Sequence, residues 1–330
     1  MGGSNWSDTA YADRALNRAK TNAPVFAYSS AVKSGQVAAK VHKSLDPHGL
    51  KVRESRDSDI HPESNAIIIA LDVTGSMGKV VGEIHAKLPS LMNLLTQKGY
   101  IKDPAILMTA VGDATCDKFP LQVGQFESGI EIENDITNVI IEGAGGGQNT
   151  ESYELVAYVG ARKTSIDCVE KRNKKGYFFF IGDELPYPQV SADEVNSLIG
   201  EKQNADIPTE VIFKELKEKY NVFFILPEDA SGGHSPQVIS RWGDLVGQEH
   251  VLKLPKASAV AELIATQVGL CEGTTTLKAA VADMKDHGAS AADIELVKSH
   301  VAKGSANINV PAAISGALKE STTDSKVERI

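Results

Sequence analysis

The chain has 330 residues and a formal net charge of −9, with 42% hydrophobic, 23% charged and 6% aromatic residues. These proportions are those of an ordinary globular protein and exclude wholesale disorder, collagen-like repetition and a disulfide scaffold. No apolar run approaches the ~20 residues that cross a bilayer. The acidic balance opposes general nucleic-acid binding, whose affinity comes from Lys and Arg on phosphates. At ~150 residues per domain the length predicts about two domains, or one large domain with extensions.

Charge is uneven. Residues 1–60 carry nine basic and six acidic residues, leaving −12 for the remainder. A basic arm on an acidic body is either solvated or suited to bind a neighbouring copy. Trp6, near its polar start, anchors to a surface, its own or another's. Cys116, Cys168 and Cys271 are widely spaced, with no CxxC and no Cys/His cluster, which argues against structural zinc. Their odd number suits a reducing compartment, and the polar N-terminus has no signal-peptide core, so the expected location is cytoplasmic.

In chain order, residues 11–20 and 31–44 read as helices, and the polar stretch 51–63 as a linker or strap. Residues 66–71 form an Ile-rich run that reads as a strand buried on both faces. Residues 78–98 have helical spacing, with Val81, Ile84, Leu88, Leu91, Leu94 and Leu95 on one side. Strands are expected at 105–111 and, more weakly, 121–126, and a short helix or strand at 136–141. A helix over 150–163, capped by Thr150, leads to a strand at 177–181. Then come a helix at 208–220, with Val211, Phe213 and Leu216 mostly inward, a strand at 221–226, a helix at 237–245, a strand at 250–254 and a helix at 258–270. Two short helices, 277–287 and 289–303, precede a polar tail whose last ten residues read as disordered. Strands alternating with helices mean a mostly parallel sheet. The expected fold is therefore α/β, a Rossmann-like, doubly wound, six-stranded sheet over 64–270, with an N-terminal extension at 1–63 and a helical C-terminal region at 271–330.

In such folds ligands bind at the carboxyl ends of strands. After the first strand comes Asp72-Val73-Thr74-Gly75-Ser76-Met77-Gly78. Alternation in an extended turn points Asp72, Thr74 and Ser76 to one side, half of a hard-cation site. Asp113 follows the second strand. The loop Gly143-Ala144-Gly145-Gly146-Gly147-Gln148-Asn149-Thr150 opens a helix, and Gly182-Asp183-Glu184 follows the fourth strand. Asp72, Thr74, Ser76, Thr150 and Asp183 together supply about five of the six oxygens that Mg²⁺ takes. Asp113, Asn149 and Glu184 are candidates to support them from behind.

Asp72-Val73-Thr74-Gly75-Ser76 resembles the D-x-[ST]-x-S motif that opens the metal-ion-dependent adhesion site of von Willebrand factor A (VWA) domains. Thr150 and Asp183 match, by context, the Thr and Asp that this family adds from later loops. The chain also looks like the small intracellular VWA proteins of bacteria and their phages, in which the runs 120–127 and 143–153 have close counterparts. The resemblance implies a non-catalytic, cation-dependent protein-binding module. It would hold Mg²⁺ (or Mn²⁺ or Ca²⁺), and a partner's Asp or Glu would complete the coordination. Such proteins often work beside an AAA+ ATPase.

Other classes claim the same residues. Asp-x-Thr-Gly-[ST] also resembles the nucleophile turn of haloacid-dehalogenase-like phosphatases, with Asp72 attacking phosphorus. That class carries a second acid four residues after the first in its metal loop, where this chain has Tyr187. The glycine loop has Gln148 where G-x-G-x-x-G needs its last Gly, which argues against a dinucleotide. Ser76 lacks the G-x-S-x-G elbow of a serine hydrolase. His234 and Asp117 read as loop residues, and Lys163, Lys171, Arg172, Lys174 and Lys175 as a solvated helix end and loop. A scaffold subunit that self-assembles through its N-terminal arm is the alternative of a different class.

Overall fold

The structure, a computed structural model, describes residues 4–143, 149–230 and 235–302, the side chains of Ser76 and Gly78 excepted. It is mixed α/β, built on one six-stranded sheet. The strands are β1 (Asn65–Asp72), β2 (Pro104–Val111), β3 (Leu121–Glu127), β4 (Gly176–Ile181), β5 (Tyr220–Pro227) and β6 (Val251–Leu254). Their order across the sheet is β6-β5-β4-β1-β2-β3, parallel throughout except for β3, which runs antiparallel to β2. From β1 the chain builds outward through β2 to β3, then returns to the other side of β1 to lay down β4. The order thus reverses between β1 and β4, where Leu71 pairs with Ile181.

Successive side chains of a strand point to opposite faces, and this sheet buries both. Ile67, Ile69, Leu71, Tyr177, Phe179 and Ile181 join one core; Ala66, Ile68, Ala70, Phe178 and Phe180 join the other. The first core is completed by helices α3 (Gly78–Ala86), α4 (Leu88–Met92), α5 (Glu131–Asn138) and α9 (Val260–Glu272). The second is completed by α6 (Tyr153–Arg162), α7 (Thr209–Lys219) and α8 (Pro236–Val246), with Trp242 stacked at 3.9 Å on Phe224.

Residues 4–60 lie on the body. Helix α1 (Asp8–Thr21) is capped by Ser7, whose hydroxyl accepts from Ala10 N. Its Arg14 and Arg18 reach the buried Glu133 at 3.1 and 2.7 Å, where His85 also makes contact at 3.2 Å. Tyr11 donates to His85 O at 2.8 Å, and Trp6 packs against the first core. The basic arm is therefore docked on its own acidic body. The strap holds a short strand, Arg53–Ser55, paired in parallel with Thr164–Ile166.

Several local expectations change. The second helix is α2 (Ala27–Lys33), not 31–44, because Gly35 turns left-handed at φ 73 directly after it. The expected helix 78–98 breaks at Lys87, ahead of Pro89, and winds as a π-helix from Asn93 to Gln97. At 131–138 a helix stands ahead of the element expected at 136–141. Ile212, rather than Val211, faces the core with Phe213 and Leu216; Val211 is 43% exposed. The last helices, α10 (Leu277–Asp286) and α11 (Ala291–His300), are close to expectation. The terminal tail read as disordered lies outside the described residues.

Helix α6 crosses β4 and α7 closely at Gly160. A Cβ there would stand 2.6 Å from Phe178 Cε2 and 2.8 Å from Leu216 Cδ1. In an unpacked helix Gly→Ala gains up to ~1 kcal/mol. Here overpacking outweighs it, and Gly160→Ala is expected to lower unfolding stability by about 1–3 kcal/mol in a urea titration. A stabilised variant would show that this contact yields easily.

Candidate functional site

Strand β1 ends in Asp72, which has no exposed surface. A carboxylate so placed needs donors, because burying a charge without them costs several kcal/mol. Three are present. Thr74 N and Thr74 Oγ1 donate to Oδ1 at 2.9 and 2.6 Å, and Tyr153 Oη donates to Oδ2 at 2.7 Å. The first two follow from sequence, since Asp-x-Thr lets a chain fold back on the Asp side chain. The third comes from the first turn of α6. It requires Gly182, where any Cβ would overlap the Tyr153 hydroxyl.

The device is repeated one strand away. After β2, Thr115 N and Thr115 Oγ1 donate to Asp113 Oδ1 at 2.8 and 2.7 Å, and Tyr187 Oη donates to the same oxygen at 3.0 Å. Asp113 N donates to Asp117 Oδ2 at 2.8 Å. Thr150–Glu151 forms a two-residue strand parallel to Leu185–Pro186, which carries the end of the glycine loop beside Asp183 and Glu184. Ser152 Oγ accepts from Ala114 N at 2.9 Å, tying that loop to the β2 turn.

The electrostatics of this edge are those of crowded acids. Burial, opposed by the donors on Thr74 and Tyr153 and aided by the charge of Asp183, raises Asp72 to about 6. Burial and the charges of Asp72 and Asp183 raise Glu184 to about 7, although it hydrogen-bonds Glu151. Burial followed by the charges of Asp72, Glu184, Asp117 and Asp113 raises Glu151 to about 10. Glu151 is 2% exposed, and its Oε2 has no hydrogen-bond partner among the described residues. Oxygen-only donors of net negative charge with one orphaned carboxyl oxygen fit a hard cation. Among the described residues no three His, Cys, Asp or Glu side chains are placed to hold a metal by themselves. Hydroxyls and water would complete such a shell.

The structure brings Asp183 into the fields of Asp72 and Glu184, and Asp72 and Glu184 into that of Glu151. Thr74 is buried on Asp72, and Thr150 is half-buried within reach of Tyr187. Thr150 is not the helix cap expected of it: it lies in the short strand, and Ser152 precedes α6. Asp113 sits in its own turn with Thr115 and Tyr187. Asn149 is exposed, left-handed at φ 55, and its carbonyl accepts from Leu185 N at 3.2 Å. Ser76 occupies the turn Gly75–Met77, but its side chain lies outside the described residues, as do glycine-loop residues 144–148 and His234. Glu151, Tyr153 and Tyr187 were not anticipated. The first two follow Thr150 closely in the loop already singled out. Tyr187 reaches Asp113 across 74 positions, with no local signal.

No family model matches the sequence, and no curated protein matches it. Among solved structures the chain is similar to the pilus adhesin SpaC from Lactobacillus rhamnosus GG. Identity is 11% over 66% of this chain and 32% of that one, with a TM-score of 0.46. The open conformation of the same adhesin gives 11% identity, 65% and 31% coverage and 0.45. Proximal thread matrix protein 1 from the mussel byssus gives 13% identity, 63% and 47% coverage and 0.40. The match spans about a third of the adhesin's length. No helix of the described residues is long and apolar enough to cross a membrane.

The raised acids fix a pH dependence. Asp72 and Glu184 hold protons more tightly folded than unfolded, so their contribution to stability is complete below the unfolded carboxylate range and is lost as pH rises through about 6 and about 7. In chelator, the wild-type melting temperature is expected to fall from roughly pH 5 to pH 8 more than that of Asp72→Asn, which has no proton to lose there. Parallel curves for the two proteins would show that Asp72 ionises normally.

Proposed function

We propose that this edge binds a divalent cation, Mg²⁺ first and Mn²⁺ or Ca²⁺ in its place, and that the protein uses it to recognise a carboxylate on a partner protein. The observation that carries the reading is the buried, unpartnered Oε2 of Glu151 beside Asp72 and Glu184. The charges that act most on Glu151 and Glu184 are those of other acids, and a cation would offset them. Asp72 and Asp183 would provide charge, largely through bound water, and Thr74, Ser76 and Thr150 would provide hydroxyl oxygens. A cation held mainly by neutral hydroxyls keeps residual positive charge, which is what a partner's Asp or Glu would meet.

A doubly wound, VWA-like arrangement of the fold belongs to the same proposal. It is supported by the Asp72-x-Thr74-x-Ser76 turn and by the position of Asp72 and Asp183 at the point where strand order reverses. The role is one of binding rather than catalysis: a side chain with no exposed surface, as Asp72 has, is poorly placed to attack a phosphate ester. Three free cysteines suit the reducing cytoplasm.

Calorimetric titration of Mg²⁺ into the protein tests the cation. Binding should release protons at neutral pH, seen as a heat that varies with the ionisation enthalpy of the buffer. Asp72→Asn and Asp183→Asn should each weaken binding by at least about tenfold, or ~1.4 kcal/mol. Wild-type affinity in both variants would remove the cation from this edge. For the partner, retention from lysate should require both Mg²⁺ and Asp72; retention equal in chelator would place recognition elsewhere.

A further inference from the structure

Tyr187 lies in a loop and is half-buried, yet side chains with no exposed surface fix its backbone at both polar groups. Its N–H donates to Oε2 of Glu154, on α6, at 3.0 Å. Its carbonyl accepts from Oγ1 of Thr209, at the start of α7, at 2.6 Å. Two residues before it, Leu185 pairs with Thr150 in the short parallel strand. The ring is thereby held between the β2 turn and the end of the glycine loop. Its hydroxyl donates to Asp113 Oδ1 at 3.0 Å, stands 3.2 Å from Thr115 Oγ1, and shares a side-chain hydrogen bond with Thr150. A phenolic hydroxyl has one proton to donate and can also accept. With that proton on Asp113, the Thr150 hydroxyl is the donor in the bond that the two share. The Thr150 proton is thus turned toward Tyr187, and the lone pairs of Thr150 Oγ1 point elsewhere. Thr74 is arranged in the same way, its Oγ1 donating to Asp72 Oδ1 at 2.6 Å. A hydroxyl presents its oxygen to a cation only when another acceptor takes its proton.

We propose that Tyr187 is a positioning residue of the cation site: it takes the proton of Thr150 and so turns that oxygen's lone pairs toward the ion. The inference rests on the proposed cation reading. It adds two residues that do not themselves touch the ion, Tyr187 and, as acceptor of the Tyr187 proton, Asp113. The protons run in one direction, from Thr150 to Tyr187 to Asp113, so the direction of the ligand hydroxyl is set before a cation arrives. Groups that orient a metal ligand from behind in this way commonly matter nearly as much as the ligand. A simple brace for the Asp113 turn accounts for less. Thr115 N and Thr115 Oγ1 already hold that carboxylate at 2.8 and 2.7 Å, and bracing it gives no role to the bond with Thr150.

The test is a double-mutant cycle on the full chain, titrated with Mn²⁺ and followed by water-proton relaxation, which reports both affinity and the number of waters on the bound ion. Binding by wild type that is lost in Asp72→Asn fixes the site. Tyr187→Phe should then weaken Mn²⁺ by about tenfold and, like Thr150→Ala, add about one water to the ion. In the Thr150→Ala background Tyr187→Phe should have no further effect, because the hydroxyl through which it acts is gone. Thr150→Ser keeps a hydroxyl and should keep the full effect of Tyr187→Phe. Additive losses, an unchanged water count or wild-type affinity in Tyr187→Phe would overturn this role and leave the cation reading standing. A wild type that binds no Mn²⁺ would remove both.

Discussion

A carboxylate with no exposed surface at the end of the central strand constrains everything around it. Among the described residues Asp72 is kept there by three donors, two of them local. The third, Tyr153, has to enter from α6 at one height above the sheet. That height is set by the pairing of Thr150–Glu151 with Leu185–Pro186 and by Ser152 holding the β2 turn. It also requires glycine at 182, because any side chain there would occupy the space of the tyrosine hydroxyl. Gly182-Asp183 is thus partly a packing requirement of Asp72. The second acid is delivered to this edge by the same residue that makes room for the clamp on the first.

Buried acids are treated in two opposite ways in this molecule. Glu133 is as buried as Glu151, and burial alone would raise it; His85, Arg18 and Arg14 instead hold it below the usual carboxylate range. The two arginines arrive on the N-terminal arm, so docking the arm and neutralising Glu133 are one event. At the carboxyl edge the strongest charges acting on Glu151 are four other acids, and its range moves up. A fold able to bring two guanidinium groups to one buried glutamate has gathered acids around another. That contrast, rather than acidity as such, separates a closed structural ion pair from an edge where acids are left to act on one another.

The sheet was legible because its strands are apolar runs of strand length, and runs such as Ala66–Leu71 and Tyr177–Ile181 leave little else for the chain to do. The first-strand turn was legible because Asp-x-Thr is a local device whose hydrogen bonds span two residues. Asp113-Ala114-Thr115 has the same Asp-x-Thr spacing and forms the same two local hydrogen bonds. Tyr187 on Asp113 was not legible, since nothing near residue 187 announces a partner 74 positions away. The pattern predicts Thr150 as a cap because a hydroxyl ahead of an apolar helix usually is one. The parallel pairing with Leu185, a long-range contact, overrode that local preference. Val211 and Ile212 exchanged roles for a simpler reason: with both residues apolar, a one-position shift of helical phase leaves the pattern almost unchanged.

The run from Gly78 to Lys98 failed differently. Its apolar spacing is that of one unbroken helix, and its apolar residues are indeed buried on one core. What the spacing cannot carry is the polar side. Pro89 removes one backbone donor, and the π-turn at Asn93 rotates the following residues relative to those before it. Burial of Leu88, Leu91, Leu94 and Leu95 survives both changes. On the polar side, Lys87 and Ser90 both donate to the buried Glu262. When a chain departs from the winding its apolar pattern supports, the reason lies with polar groups such as these, which the apolar pattern does not encode.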